Sequence, residues 1–197
     1  AYGVARPDVA RVLPATSWDL AQWGEYLLAL SDDDGKIYEW QLNTATPAAA
    51  VANAPEDNRG IVVTEERFLF ALGAGAYPRK VQWSDREDNA LWTAAATNEA
   101  GDLELNTSGE LLKGVTVKGQ TLLLTTRDAH VANYIGPPYV YGVERVGASC
   151  GLAAKQAVAV VDAGAFWMGV RSFYTYQGSS AQELQSDVSD YVFNDIN

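Results

Sequence analysis

The sequence predicts an all-β protein built from about four similar units, each of three or four strands. Two observations predict this class. The chain has 6 Trp, 10 Tyr and 5 Phe among its 197 residues, and aromatic side chains favour sheet surfaces and interfaces. An order of apolar strand, tight turn and second apolar strand also recurs along the chain. With 48% apolar residues, the chain has enough material for a substantial core.

The clearest unit lies in residues 58–92, NRGIVVTEERFLFALGAGAYPRKVQWSDREDNALW. Runs rich in branched and aromatic residues predict strands at 61–64, 68–72 and 80–84. Gly73, Gly75 and Pro78 mark the turn before the last of these strands.

The same order occurs four times. The strand before the turn is centred near Leu28, Phe70, Leu123 and Trp167, and the strand after it ends on Trp40, Trp83, Tyr134 and Tyr176. These terminal aromatic residues are 43, 51 and 42 positions apart. A period of about 40 to 50 residues with several strands per unit is typical of β-propeller blades, so we expect the four aromatics to pack between blades. A β-sandwich or meander is the alternative, because its strands also recur with turns.

The approximate units are residues 25–55, 56–101, 102–147 and 148–197. Residues 1–24 are predicted to form a leading segment and a first outer strand. Propellers have about 4 to 8 blades and join the first to the last. Because the first unit is incomplete at its start, we expect a larger or incomplete propeller, completed by further chain or by neighbouring subunits.

Local signals predict the remaining elements. Residues 32–35, DDDG, form a hairpin turn, since Asp-Gly favours tight hairpins and the other oxygen ligands of a calcium loop are missing. Residues 44–55 form an extended connector, 153–157 one helical turn and 186–197 a short amphipathic helix. Further strands are expected at 26–30, 37–42, 103–105, 111–117, 121–125, 129–135, 139–146, 158–161, 165–169 and 172–177.

The composition excludes several classes of function. A net charge of −11 argues against a sequence-independent grip on nucleic acid, which needs clustered cations, although a negative wall suits nucleic acid that slides past. Cys150 and His130 are the only cysteine and histidine, so one chain lacks the ligands for a zinc site of that type and has no intrachain disulfide. No apolar run approaches the ~20 residues of a membrane span, and we expect no membrane insertion.

No residue set predicts a catalytic site or a cofactor. Gly147-Ala148-Ser149-Cys150-Gly151 matches the nucleophile-elbow pattern, but His130 precedes the serine and no βαβ order surrounds it. We expect a glycine-rich bend there, a hydrogen-bonded strand residue at His130 and a packed thiol at Cys150. Carboxylates are plentiful and cannot be paired from the sequence: Asp85, Glu87, Asp88, Asp102, Glu104, Asp187 and Asp190.

Two pairs of aromatic residues are candidates for subunit contacts. Tyr139 and Tyr141 flank a proline-rich turn, and Trp18 and Trp23 lie near the start of the chain. Aromatic side chains are enriched at such interfaces. Core packing is the alternative for both pairs, and sugar stacking is a further one.

Five stretches resemble the nozzle or hub proteins of short-tailed bacteriophages, also called packaged-DNA stabilisation proteins. They are WGEYLLALSDDDGKIYEWQ, the stretch NRGIVVTEERFLFALGAGAYPRKVQWSDREDNALWT, NEAGDLELNTSGELL, YIGPPYVYGVERVG and AFWMGVRSFYTYQG followed by VSDYVFNDIN. Together they span most of residues 23–197, and the resemblance rests on their order.

The resemblance implies a virion protein without catalytic residues. Members of the family form a hexameric ring of propeller-containing subunits below the portal and adaptor. The ring continues the DNA channel and retains the genome until ejection, without sequence-specific binding. Family members continue beyond the part that matches residues 188–197, which favours a partial chain. A propeller lectin or glycosidase and a propeller scaffold for protein partners are the alternatives.

Overall fold

A computed structural model describes residues 17–195. Four antiparallel sheets follow one another along the chain, and each is made of four consecutive strands. The first sheet contains β1 (Trp18–Trp23), β2 (Tyr26–Ser31), β3 (Ile37–Trp40) and β4 (Ala49–Ala50). The second contains β5 (Gly60–Val63), β6 (Leu69–Leu72), β7 (Lys80–Trp83) and β8 (Gly101–Glu104).

The other two sheets repeat the plan. The third contains β9 (Leu111–Val117), β10 (Gln120–Thr125), β11 (Ala129–Gly136) and β12 (Val140–Gly147). The fourth contains β13 (Val158–Val161), β14 (Gly164–Met168), β15 (Phe173–Tyr176) and β16 (Ala181–Leu184). A short helix, α1 (Ser189–Asp195), follows. The predicted all-β class with propeller-like blades is confirmed.

Tight hairpins set the register within each sheet. Gly35 N donates to Ser31 O across the predicted turn between β2 and β3. Gly35 has φ of +62°, and an added Cβ would lie 2.7 Å from the Asp57 Cα. Only glycine fits such a left-handed and crowded position, so the DDDG segment is a turn held against the connection between the first and second sheets.

Three apolar clusters join consecutive sheets. The first and second sheets share a cluster around Leu28, Leu30 and Leu69. Phe70, Trp83 and Tyr141 are central to the cluster between the second and third sheets. Leu122, Trp167 and Tyr176 belong to the cluster between the third and fourth. Each sheet therefore covers a face of the next, as stacked blades require.

The first strand of each sheet lies on the inner side of the stack. β1 contacts β5, β5 contacts β9, and β9 contacts β13. Gly114 allows the close approach of β5 and β9, because an added Cβ would lie 2.5 Å from Val62 Cγ1. β1 is an edge strand of the first sheet and lies next to β5.

Several local expectations differ from the structure. The connector 44–55 contributes the two-residue strand β4, and β16 was not predicted. The second sheet ends at Glu104 rather than Gly101, and the fourth begins at Val158 after a loop. Residues 1–16, including most of the leading segment, and 196–197 at the end of the predicted helix lie outside the described residues.

Candidate functional site

The inner strands line a central cavity of about 460 Å³ that is broadly open to solvent. Residues of β1, β5, β9 and β13 line it, and so does the turn between β5 and β6. Glu65 and Lys113 are the only ionisable residues in this lining. A glycosidase needs two carboxyl groups at a defined separation. Of the residues from 17 to 195, the cavity lining includes one carboxyl group, that of Glu65.

A buried ion pair lies beside the cavity and joins three inner strands. Asp19 of β1 pairs with Lys113 of β9, and the side chains are 0% and 15% exposed. The second oxygen of Asp19 accepts a hydrogen bond from Ile61 N of β5 at 3.0 Å. An added Cβ at Gly60 would lie 3.3 Å from the same oxygen. A glycine at this position therefore leaves room for the carboxylate between the strands.

His130 belongs to a buried polar cluster on β11 and the turn before it. Its Nε2 lies 3.2 Å from Asp128 Oδ1, without the alignment of a hydrogen bond. Asp128 also accepts hydrogen bonds from Thr107 Oγ1 and Thr125 Oγ1. Burial opposes ionisation of Asp128, but these hydrogen bonds and His130 lower its pKa below the ordinary value. The cluster joins the turn before β11 to the loop that follows β8. The Asp128 carboxylate accepts hydrogen bonds from both threonines.

The nucleophile-elbow pattern lies in the connection between the third and fourth sheets. Ser149 has φ of +58°, and a loop leads from Gly151 to β13 where an elbow would require a helix. Cys150 is buried, and burial raises the pKa of its thiol to about 11. An added Cβ at Gly151 would lie 2.2 Å from Thr126 O. The glycines permit a close crossing of backbones, as expected, and the segment has no esterase geometry.

The four terminal aromatic residues do not occupy equivalent places. Trp83 and Tyr134 both pack between the second and third sheets, and Tyr176 packs between the third and fourth. Trp40 belongs to none of the three clusters, and its Nε1 donates to Asn43 O at 3.1 Å. The recurring aromatic residue thus marks the end of a strand. Its presence does not determine whether its side chain packs between two sheets.

Of the four residues proposed for subunit contacts, two are exposed and two are buried. Trp18 and Tyr139 are 49% and 76% exposed. Trp23 and Tyr141 are only 7% and 5% exposed, because each packs into a cluster between sheets. For Trp23 and Tyr141 the expectation of a free contact surface is therefore wrong, and both are core residues.

Tyr141 is the centre of an aromatic group that the sequence did not reveal. Its ring makes edge contacts with Phe68, Phe70 and Trp83, with centroids 5.3, 4.7 and 5.5 Å away. Its hydroxyl lies 2.9 Å from Thr64 Oγ1, and burial raises the pKa of this phenol. The alternation along β12 could have placed Tyr141 and Val143 on the same face of the strand. It could not have shown which other sheet packs against that face.

Several of the candidate carboxylates form surface ion pairs. Asp102 pairs with Lys80, Glu104 pairs with Arg79, and Glu87 pairs with Arg67. Within residues 17–195, no group of three or more His, Cys, Asp or Glu side chains could hold a metal ion. No helix of this described part is long and apolar enough to cross a membrane.

Comparisons with known proteins bear on the fold. No protein-family model matches the sequence, and no curated protein sequence matches it. The extracellular domain of a hybrid two-component system from B. thetaiotaomicron is similar in structure, with a TM-score of 0.56 and 11% identity. So are dihydro-heme d1 dehydrogenase NirN in complex with DHE (TM-score 0.57, 13% identity) and the CNH domain of AfRom2 (TM-score 0.51, 12% identity).

These similarities cover 86%, 86% and 88% of this chain but 22%, 36% and 57% of the respective structures. The chain thus spans less than two thirds of each of them. At such low identity the likeness shows the fold alone. It agrees with the four sheets in assigning the chain to all-β proteins with propeller-like blades.

Proposed function

We propose that the chain is a structural protein of a phage tail, which forms a ring below the portal and adaptor. Such a ring would continue the DNA channel and retain the packaged genome until ejection. The resemblance of five ordered stretches to tail nozzle proteins carries this proposal. One structural observation is compatible with it: each of the five stretches contributes strands to the four sheets, and the last continues into α1.

The surface is compatible with a structural role. Trp18 and Tyr139 present large exposed aromatic side chains, which are favoured as anchors at protein interfaces. The chain carries a net charge of −11, and a negative wall repels DNA and lets it slide past. Contact with DNA would then be without sequence preference.

The native mass of the full-length protein tests the proposal. A hexamer, or incorporation into virions during infection, is the expected result. Tyr139→Ser should weaken this assembly, whereas Tyr77→Ser, which removes another exposed tyrosine (63% exposed), should not. A stable monomer at all concentrations, absent from virions, would refute the proposal. A sugar-dependent rise in thermal stability of such a monomer would favour a lectin instead.

A further inference from the structure

In residues 17–195, the first and fourth sheets contact each other through polar groups and share no apolar cluster. The three interfaces between consecutive sheets each contain a cluster of buried apolar side chains. Across residues 17–195, none of these clusters combines side chains of the first and fourth sheets. Leu20 of β1 and Val161 of β13 remain 59% and 51% exposed. Within the described part of the chain, hydrophobic packing therefore does not join these two sheets.

A small set of polar contacts bridges the gap between these two sheets, and we call it the polar clasp. Lys155, in the loop before β13, pairs with Asp32 in the turn between β2 and β3. Asp32 also accepts a hydrogen bond from Ser17 Oγ. Gln156 Nε2 donates to Trp18 O at 3.2 Å. All of these contacts lie near the start of β1 and the start of β13.

The opposite ends of the same strands lie away from the clasp. β1 ends at Trp23 and β13 ends at Val161. Leu20 and Val160 both line the central cavity, one from each side of the gap. Opening of the gap would therefore widen that concavity. α1 contacts the fourth sheet on β15, where Phe193 and Phe173 have centroids 5.1 Å apart, and need not move with the clasp.

We propose that the polar clasp is a releasable closure, which lets the first and fourth sheets separate while the other three interfaces stay packed. The Lys155 and Asp32 side chains are 15% and 34% exposed. Salt screens such a partly exposed pair, and within residues 17–195 no buried apolar cluster joins the two sheets beside it. The three packed interfaces are held by apolar burial, which ionic screening does not weaken. Among the contacts that residues 17–195 make between sheets, the clasp is thus the one that we expect added salt to weaken most.

The distance between β1 and the end of β13 tests this proposal. Spin labels are placed at Gln22→Cys and Asp162→Cys, both exposed positions, in a Cys150→Ala background. Pulsed electron resonance then measures the distance distribution between them. Lys155→Gln removes the ion pair. Arg59→Gln is the matched control, because Arg59 pairs with Glu110 between the second and third sheets, which share a core.

The expected result is a longer and broader distance distribution in the Lys155→Gln variant, with the Arg59→Gln variant unchanged. Added salt should produce the same shift in the protein with an intact clasp and no further shift in Lys155→Gln. The salt series also covers the case in which Lys155→Gln fails to fold. Distributions that are identical with and without the clasp and at all salt concentrations would overturn the proposal. So would an equal lengthening in both variants.

Discussion

Replacement of Asp19 with alanine should destabilise the protein strongly. The substitution leaves the Lys113 ammonium group, 15% exposed, without its partner and removes the acceptor of the Ile61 N–H. Loss of one partner of a buried ion pair costs about 3–5 kcal/mol. Because whole domains are stable by only about 5–15 kcal/mol, the variant should lose a large part of its free energy of unfolding.

Urea unfolding followed by tryptophan fluorescence measures this loss. Glu87→Ala is the control, because its ion pair with Arg67 is exposed and should contribute only about 0–1 kcal/mol. The double variant Asp19→Leu with Lys113→Met should recover much of the loss, since no unpaired charge remains. The unpaired Ile61 N–H should still cost about 1–3 kcal/mol. If Asp19→Ala loses no more stability than Glu87→Ala, the ion pair does not hold the inner strands together.

Three further perturbations follow from the same packing. Cys150 should resist a thiol reagent in the native protein at mildly alkaline pH, because burial raises the pKa of its thiol to about 11, and should react fully in urea. Gly151→Ala should lower the Tm far more than Gly142→Ala. The Cβ added at residue 151 would lie 2.2 Å from the Thr126 carbonyl oxygen, whereas the one added at residue 142 would lie 3.6 Å from its nearest neighbours. Equal Tm values for the two variants would contradict this. Hydrogen bonds lower the native pKa of Asp128 despite its burial, so its contribution to stability is present above the unfolded pKa and is lost as the pH falls through the native one. Asp128→Asn should therefore flatten the acid limb of a stability–pH curve measured in urea, and an unchanged limb would count against the role of this carboxylate.

The repeat was predictable from the sequence because its signals are local. Alternation within strands and glycine at hairpins depend on neighbouring residues, so the order of strands around Leu28, Phe70, Leu123 and Trp167 could be found without tertiary information. All four residues lie in second strands of their sheets. The very short β4 and the polar β16 carry too few such signals to be recognised.

The faces of the strands were harder to predict. Trp40 and Trp83 both end third strands, yet only Trp83 is buried between sheets. Likewise, Tyr139 is exposed and Tyr141 is buried two residues later. Which face of a sheet is covered depends on how the sheets stack, and this is set by contacts between residues distant in sequence. The candidate site was unpredictable for the same reason, because Asp19 and Lys113 are 94 positions apart.

The ion pair between Asp19 and Lys113 also restricts where DNA could travel in a tail ring. It brings β1 and β9 within reach of a single lysine side chain although β5 lies between them. Within residues 17–195, strands that lie this close together at the centre leave no room for a double helix to pass between them. A channel for the genome would therefore have to lie between neighbouring copies of the chain. The blades of those copies would form its wall. The charged residues at the outer edges of the sheets, rather than those at the centre of the stack, would then set the electrostatic potential that passing phosphates meet.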